Sequence, residues 1–313
     1  MSAQVTAIQA RRTIGAFIII MLSVFAGGCG GSGFDYDRPD ALVIAMHDAM
    51  ENEDPVLVWE ALPSTWRSDI NGVVHAFGQK LDAKAYDAAM NTARKAVKVL
   101  ADKKEFILNS AMGKMFMAGM KKSAGEQAEL VMENYDLIVK VMEMLVNSDL
   151  GTAEGLMKVK LGQVIGAYGP EIMKMMKQIA NTDMKNMPSE VEQMRNAFNQ
   201  ARTLKSTVKS VDGDKAVIVV SMNQRPDETT EMIKIDDRWV PALMSKQFAM
   251  VIPAVKAELT GMDGTTINTE LVKIQPMLPM IDSALDAMEK ADTQEAFDQA
   301  MMGIAGAMMP RPS

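Results

Sequence analysis

Several residue types are scarce in this chain, and their scarcity limits what the protein can be. Its 313 residues include one cysteine, Cys29, and two histidines, His47 and His75, while aromatic residues make up 5%. A single cysteine excludes both an intrachain disulfide and a cysteine-based metal site. The sequence has none of the metalloprotease, serine-hydrolase, P-loop or Cys-x-x-Cys motifs. We therefore expect a protein that is not an enzyme and needs no cofactor.

A basic charge balance and long apolar segments are also lacking. The formal net charge is −7, and an acidic protein does not attract nucleic acid electrostatically. Beyond residue 28 no apolar run approaches the roughly 18 residues that suggest a transmembrane helix. We expect no nucleic-acid partner and no membrane-spanning helix.

The first 28 residues have the pattern of an export signal. Arg11 and Arg12 form a basic start, and residues 14–25 form an apolar core that is too short to span a bilayer as a stable helix. Ala26-Gly27-Gly28 then leads to Cys29. The pattern predicts that residues 1–28 are a signal peptide.

Small residues directly before a cysteine resemble the lipobox of bacterial lipoproteins, which usually has Leu where this chain has Ala26. The resemblance implies that Cys29 carries diacylglyceryl and acyl (palmitate-type) chains and holds the protein on a membrane. Residues 29–37 are then the lipidated cysteine and a Gly/Ser-rich flexible tether. Because Gly30 rather than Asp follows the cysteine, the resemblance slightly favours the outer membrane, on its periplasmic side.

Three other interpretations of the N-terminus stay open. Val24-Phe25-Ala26 also fits ordinary signal peptidase, which would release a soluble periplasmic protein with a free thiol. The pair Arg11-Arg12 faintly resembles a twin-arginine signal. An uncleaved signal would remain as a membrane anchor.

The rest of the chain divides into two regions that differ in the periodicity of their apolar residues. Residues 38–200 have helical periodicity, whereas residues 201–313 begin with alternating, β-branched segments and then return to helix. We predict an α+β fold, mainly α, in which helical hairpins precede a small antiparallel β-meander of three or four strands with C-terminal helices. The two regions form either two domains or one.

Two apolar helical faces and five helix starts can be read from the spacing. The first face comprises Tyr86, Met90, Ala93, Val97 and Leu100, and the second Val131, Tyr135, Ile138, Met142 and Leu145. Capping boxes are expected at Ser123/Glu126, Ser189/Glu192 and Asp292/Glu295, and further starts at Ser64 and Asp82.

The predicted meander spans about residues 204–243, with turns at Asp212-Gly213-Asp214 and Asp236-Asp237. Its last strands resemble those of cystatin-like or NTF2-like export lipoproteins, which end in a charged turn followed by a buried Trp. The resemblance places Trp239 on the inner face of a sheet that forms a pocket. The alternative is that Trp239 simply packs between sheet and helix.

Methionine is unusually abundant, with 31 residues. Met112, Met115, Met117 and Met120 have the spacing of a thioether cluster of the kind that Cu(I) prefers. On a regular helix, however, their side chains would spread over about 200° and could not all reach one ion. We therefore favour core packing for Met112 and Met115, with an adaptable apolar binding surface as an alternative.

The function favoured by these patterns is that of a membrane-anchored envelope lipoprotein. It would bind a protein partner or an apolar ligand, with Met112, Met115 and Trp239 as candidate contacts. The alternatives are a soft-metal protein that handles Cu(I) and a purely structural envelope protein.

Overall fold

The computed structural model describes residues 34–124, 132–181, 189–223, 225–262 and 264–308. Over these ranges the chain is mainly helical, with one four-stranded antiparallel sheet. The predicted α+β, mainly α fold is therefore confirmed, including the position of the meander after the long helical region. The predicted signal peptide and Cys29 lie outside the described residues.

The helices are defined here in chain order. They are α1 (Ala41–Asn52), α2 (Val56–Ala61), α3 (Ser64–Lys80), α4 (Ala83–Asp102), α5 (Lys104–Asn109), α6 (Ala111–Ala124), α7 (Tyr135–Asn147), α8 (Ala153–Lys158), α9 (Leu161–Asn181), α10 (Ser189–Ala201), α11 (Ala242–Gly261), α12 (Gly264–Ile274), α13 (Leu278–Lys290) and α14 (Gln294–Met308). The strands are β1 (Lys205–Asp212), β2 (Lys215–Ser221), β3 (Glu228–Ile235) and β4 (Arg238–Pro241).

The contacts divide the chain into two compact units, each assembled from separated segments. The sheet unit contains residues 34–76, 160–181 and 193–261, and thus includes the sheet, α1, α2, α9 and α11. Of the described residues, the helical unit contains 77–124, 132–159, 189–192, 262 and 264–308, and thus includes α4 to α8 and α12 to α14. Both units draw on segments from either side of residue 200.

Local capping explains where several helices start. The side chain of Asp82 accepts a hydrogen bond from the Ala85 amide at 3.0 Å, which confirms the predicted cap of α4. The cap of α14 is Thr293, whose hydroxyl accepts from the Ala296 amide at 3.3 Å. The predicted cap at Asp292 was one residue early, because the helix begins at Gln294. The starts predicted at Ser64 and Ser189 match α3 and α10. Ser123, where another start was predicted, lies near the end of α6 instead, and Glu126 falls outside the described residues.

In the helical unit, α4 buries the face that its spacing predicted. Val97 is buried, and Met90, Ala93 and Leu100 pack against the same cluster. From α7 this cluster receives Val139 and Val146, which lie outside the face predicted for that helix, together with Tyr135, which belongs to it. The face predicted for α7 was therefore largely wrong. Met142 is 41% exposed. The surface of α7 has two neighbouring apolar stripes, and the one that contains Val139 and Val146 packs against α4.

The sheet is a simple meander with the strand order β1-β2-β3-β4. Gly213, with φ +55°, makes the first tight turn, and Asp236 and Asp237, with φ 48° and 59°, make the last. Two consecutive residues with positive φ match the twist of a two-residue hairpin, and Asp tolerates this region better than most residues. Both turns were predicted at these positions.

A tight helix contact in the sheet unit gives a testable prediction. A Cβ on Gly162 in α9 would lie 2.6 Å from Nε1 of the buried Trp59 in α2. We expect Gly162→Ala to lower the free energy of unfolding by about 1–3 kcal/mol through overpacking. The matched control is Gly72→Ala in α3, where nothing lies within 4 Å of the added Cβ. This control should raise stability by about 0.5–1 kcal/mol through higher helix propensity. Urea unfolding followed by circular dichroism measures both, and equal effects would contradict the packing argument.

Candidate functional site

Met112 and Met115 lie three residues apart in α6, and both are exposed. Met112 is 38% exposed and Met115 is 70% exposed. The expectation that both pack into the core was therefore wrong for these two residues. Their helix is part of the helical unit. The two side chains are therefore available to a partner, although the apolar periodicity of the helix predicts that they face the core.

Trp239 is enclosed by the protein's own residues. It is 4% exposed and clusters with Val43 of α1 and with Ala216, Ile218 and Met232 of the sheet. Its indole Nε1 donates a hydrogen bond to the carbonyl oxygen of Asp37 at 2.8 Å. Trp239 thus lies on the inner sheet face and packs between sheet and helix, as the second interpretation expected. A ligand could reach this ring only by displacing those neighbours.

The three candidate contacts are divided between the two units. Trp239 belongs to the sheet unit, and Met112 and Met115 belong to the helical unit. The lipid-attachment candidate Cys29 falls in the part of the chain that the structure does not describe.

Asp40 is a buried carboxylate that lies directly before α1. Its side chain is fully buried and accepts hydrogen bonds from Arg38 Nε at 2.6 Å, Arg38 Nη2 at 3.1 Å and Ser206 Oγ at 2.8 Å. Burial alone would raise the pKa of Asp40, but the hydrogen bonds from Arg38 and Ser206 outweigh it and hold the pKa below its usual value. These contacts fasten the chain before α1 to strand β1.

The exposed face of α11 was not recognised from the sequence. Leu243 is 67% exposed and Met250 is 66% exposed, and Gln247, Ala254 and Ala257 on the same face are exposed as well. We call these five residues the α11 face. Their spacing of four and three residues alternates along the whole helix, which is the spacing of a seam that packs against another helix.

The opposite side of α11 is also apolar and is buried in the sheet unit. Ile252, Val255 and Leu259 are buried, and Phe248 stacks on the ring of Trp66 with centroids 4.2 Å apart. A helix with apolar residues on two opposite sides is normally covered on both of them. On α11, which the structure describes completely, the α11 face remains open, and it is therefore the strongest candidate for a contact surface.

Two kinds of feature are absent from the described ranges of the chain. Among these residues no three His, Cys, Asp or Glu side chains are grouped so as to hold a metal ion. Likewise, none of the helices described combines the length and apolar character needed to cross a membrane.

Comparison with known protein families, with curated proteins and with solved structures finds no match to this chain. A function for it therefore has to rest on its own residues, their exposure and their contacts.

Proposed function

We propose that this chain is a non-enzymatic envelope lipoprotein, anchored through Cys29, that binds an apolar helix of a protein partner. The observation that supports the partner most directly is the α11 face. Its seam-like spacing suits a helix better than a flat surface or a small compact ligand, because apolar side chains at every third or fourth position interlock with those of another helix.

Charge also favours a protein partner for this face. None of the five residues of the α11 face is ionisable, in a protein of which 23% is charged. An apolar surface with few charges at its centre and polar residues around it is typical of a protein interface. Unbranched methionine side chains such as Met250 can adjust to the partner's shape.

Met112 and Met115 provide a second exposed apolar patch, in the helical unit. We propose it as an additional contact for the same class of partner, since exposed methionines on helices are adaptable binding surfaces.

Site-specific photo-crosslinking tests the proposed partner. A photoreactive residue replaces Met250 in the lipidated protein in its own membrane, and the control replaces Val211 of β1, which is 54% exposed in the same unit. We expect an adduct at Met250 whose cross-linked partner peptide has apolar residues at helical seam spacing. Adding Leu243→Lys should reduce its yield at least tenfold, roughly 1.4 kcal/mol of binding, because a lysine would be desolvated in the seam.

The outcomes separate the possible occupants of the α11 face. An adduct of twice the chain's mass would assign the face to a second copy of the chain, and a lipid adduct would assign it to an apolar ligand. Equal adducts at Met250 and Val211 would contradict a specific site. No adduct at either position would favour a purely structural protein.

Handling of Cu(I) is the second candidate function, and the exposure of Met112 and Met115 is the observation that keeps it in consideration. Two thioethers one turn apart supply fewer ligands than a soft-metal site usually has. We expect a competition titration with a Cu(I) chelator to reveal no stoichiometric binding. Stoichiometric binding that is lost in the Met112→Leu/Met115→Leu variant would favour the metal function instead.

A further inference from the structure

The chain between the proposed anchor and α1 is attached to one corner of the sheet. Arg238 lies over the ring of Tyr36, with its guanidinium carbon 4.9 Å from the ring centroid. The Tyr36 ring in turn contacts Phe34, with centroids 4.7 Å apart. The Trp239–Asp37 hydrogen bond fixes the next residue of the segment. The first described residues are therefore held beside the turn between β3 and β4.

This corner is itself fastened to the helices of the sheet unit. The carboxylate of Asp236, in the β3–β4 turn, accepts from Ser64 Oγ at 3.0 Å and from the Thr65 amide at 2.8 Å. Arg238 Nε donates to the carbonyl oxygen of Glu60 at 2.9 Å. We call Phe34, Tyr36, Thr65, Asp236 and Arg238 the anchor corner. The hairpin turn, the start of α3 and the N-terminal segment are thus joined to one another.

The length of the chain restricts how far this corner can move from the membrane. Cys29 and Phe34 are five positions apart, so a fully extended chain between them spans at most about 17 Å. The opposite end of the sheet is further away. Thr229, near the start of β3, is seven residues before Asp236, which corresponds to about 23 Å along a strand.

We propose that the anchor corner is the membrane-proximal surface of the sheet unit and lies against lipid headgroups, with the β2–β3 end directed away from the bilayer. This inference rests on the proposed lipid anchor at Cys29. The residues of the corner suit a headgroup layer, where aromatic rings and arginines are favoured. Acidic and basic side chains, including Asp35 and Arg38, are both exposed near it. A zwitterionic headgroup layer therefore fits this surface better than a strongly anionic one.

A pair of matched probes tests the proposed orientation. Thr65→Cys and Thr229→Cys each place a fluorophore on an exposed threonine, at opposite ends of the sheet. Once Cys29 is lipidated, each introduced cysteine is the only free thiol of the mature chain, since Cys29 is the only cysteine present. The lipidated proteins are reconstituted in phosphatidylcholine–phosphatidylethanolamine vesicles that contain a headgroup-attached nitroxide quencher.

We expect quenching at position 65 to be several-fold stronger than at position 229. Inserting about ten Gly/Ser residues between Ser32 and Gly33 should remove most of the difference, because a longer flexible linker no longer holds the corner near the lipid. Equal quenching without the insertion, or stronger quenching at position 229, would overturn the orientation.

A mass measurement on the same samples separates the two levels of the proposal. Lipidated protein that quenches equally at both positions would overturn the anchor corner and leave the lipoprotein assignment standing. A chain that carries no lipid would overturn both. The Cys29→Ser variant is the control and should show no quenching at either position.

Discussion

Truncating Trp239 to alanine is expected to lower the free energy of unfolding of the sheet unit by about 3–5 kcal/mol. The ring is almost fully buried among Val43, Ala216, Ile218 and Met232, so its removal leaves a cavity between α1 and the sheet. The variant also frees the carbonyl oxygen of Asp37, which now accepts from the indole nitrogen at 2.8 Å. Urea unfolding followed by far-ultraviolet circular dichroism measures the loss.

Trp239→Phe is the matched control for this prediction. It keeps an aromatic ring in the cluster but removes the hydrogen bond to the carbonyl oxygen of Asp37. Because Asp37 is exposed, water can hydrate this oxygen instead. We expect a loss of about 1–2 kcal/mol, which combines one hydrogen bond with a small volume change. If Trp239→Ala were as stable as Trp239→Phe, the ring would not be the central packing element proposed here.

The second large effect concerns Asp40 and is pH-dependent. At neutral pH we expect Asp40→Asn to lower the free energy of unfolding by about 2–3 kcal/mol, since it removes one partner of a buried ion pair. This loss of stability is smaller than for a fully buried ion pair, because the side chain of Arg38 is 47% exposed and can be hydrated. A suitable control is Glu154→Gln, which removes an exposed pair with Lys158 and should have no measurable effect.

The sign of the pH dependence follows from the lowered pKa of Asp40. Burial opposes the charged form, but the hydrogen bonds from Arg38 and Ser206 favour it more strongly. The stabilisation is therefore fully present above the unfolded carboxyl's pKa of about 3.9, and it is lost as the pH falls through the folded value. The stability difference between the wild type and Asp40→Asn should shrink as the pH is lowered below about 3.9. A difference that stays constant with pH would contradict the ion-pair assignment.

The sequence predicted the meander well because each of its signals is local. Alternating residues, Gly213 and the Asp236-Asp237 pair act within a few positions of one another, and strand pairing follows from them. The cap at Asp82 was predictable for the same reason, since donor and acceptor are three residues apart.

The contacts that position the N-terminal segment could not be predicted in this way. Asp37 and Trp239 are 202 residues apart in the chain, and Asp40 and Ser206 are 166 apart. Neither pair has a local pattern, because the partners meet only after α1 and the sheet have packed. The burial of Trp239 was expected, but not the residue that its indole contacts.

The α11 face was missed, and the exposure of Met112 and Met115 was only the alternative interpretation, for a different reason. Periodicity identifies an apolar face but does not reveal whether anything covers it, so Met112 and Met115 were assigned to the core. In α11 the alternating spacing from Leu243 to Ala257 was visible in the sequence. The same helix has a second apolar face, which contains Ile252 and Val255, so the apolar residues did not stand out as one separate stripe.

The mass of the mature protein, extracted from its own membrane in mild detergent, tests the central proposal most directly. Native mass spectrometry should give the mass of residues 29–313 plus one diacylglyceryl and one further acyl group on Cys29. A retained protein adduct would in addition identify a partner of the chain. A mass that begins at Gly27, with a free thiol and no lipid, would contradict the lipoprotein assignment and the membrane-facing orientation that depends on it.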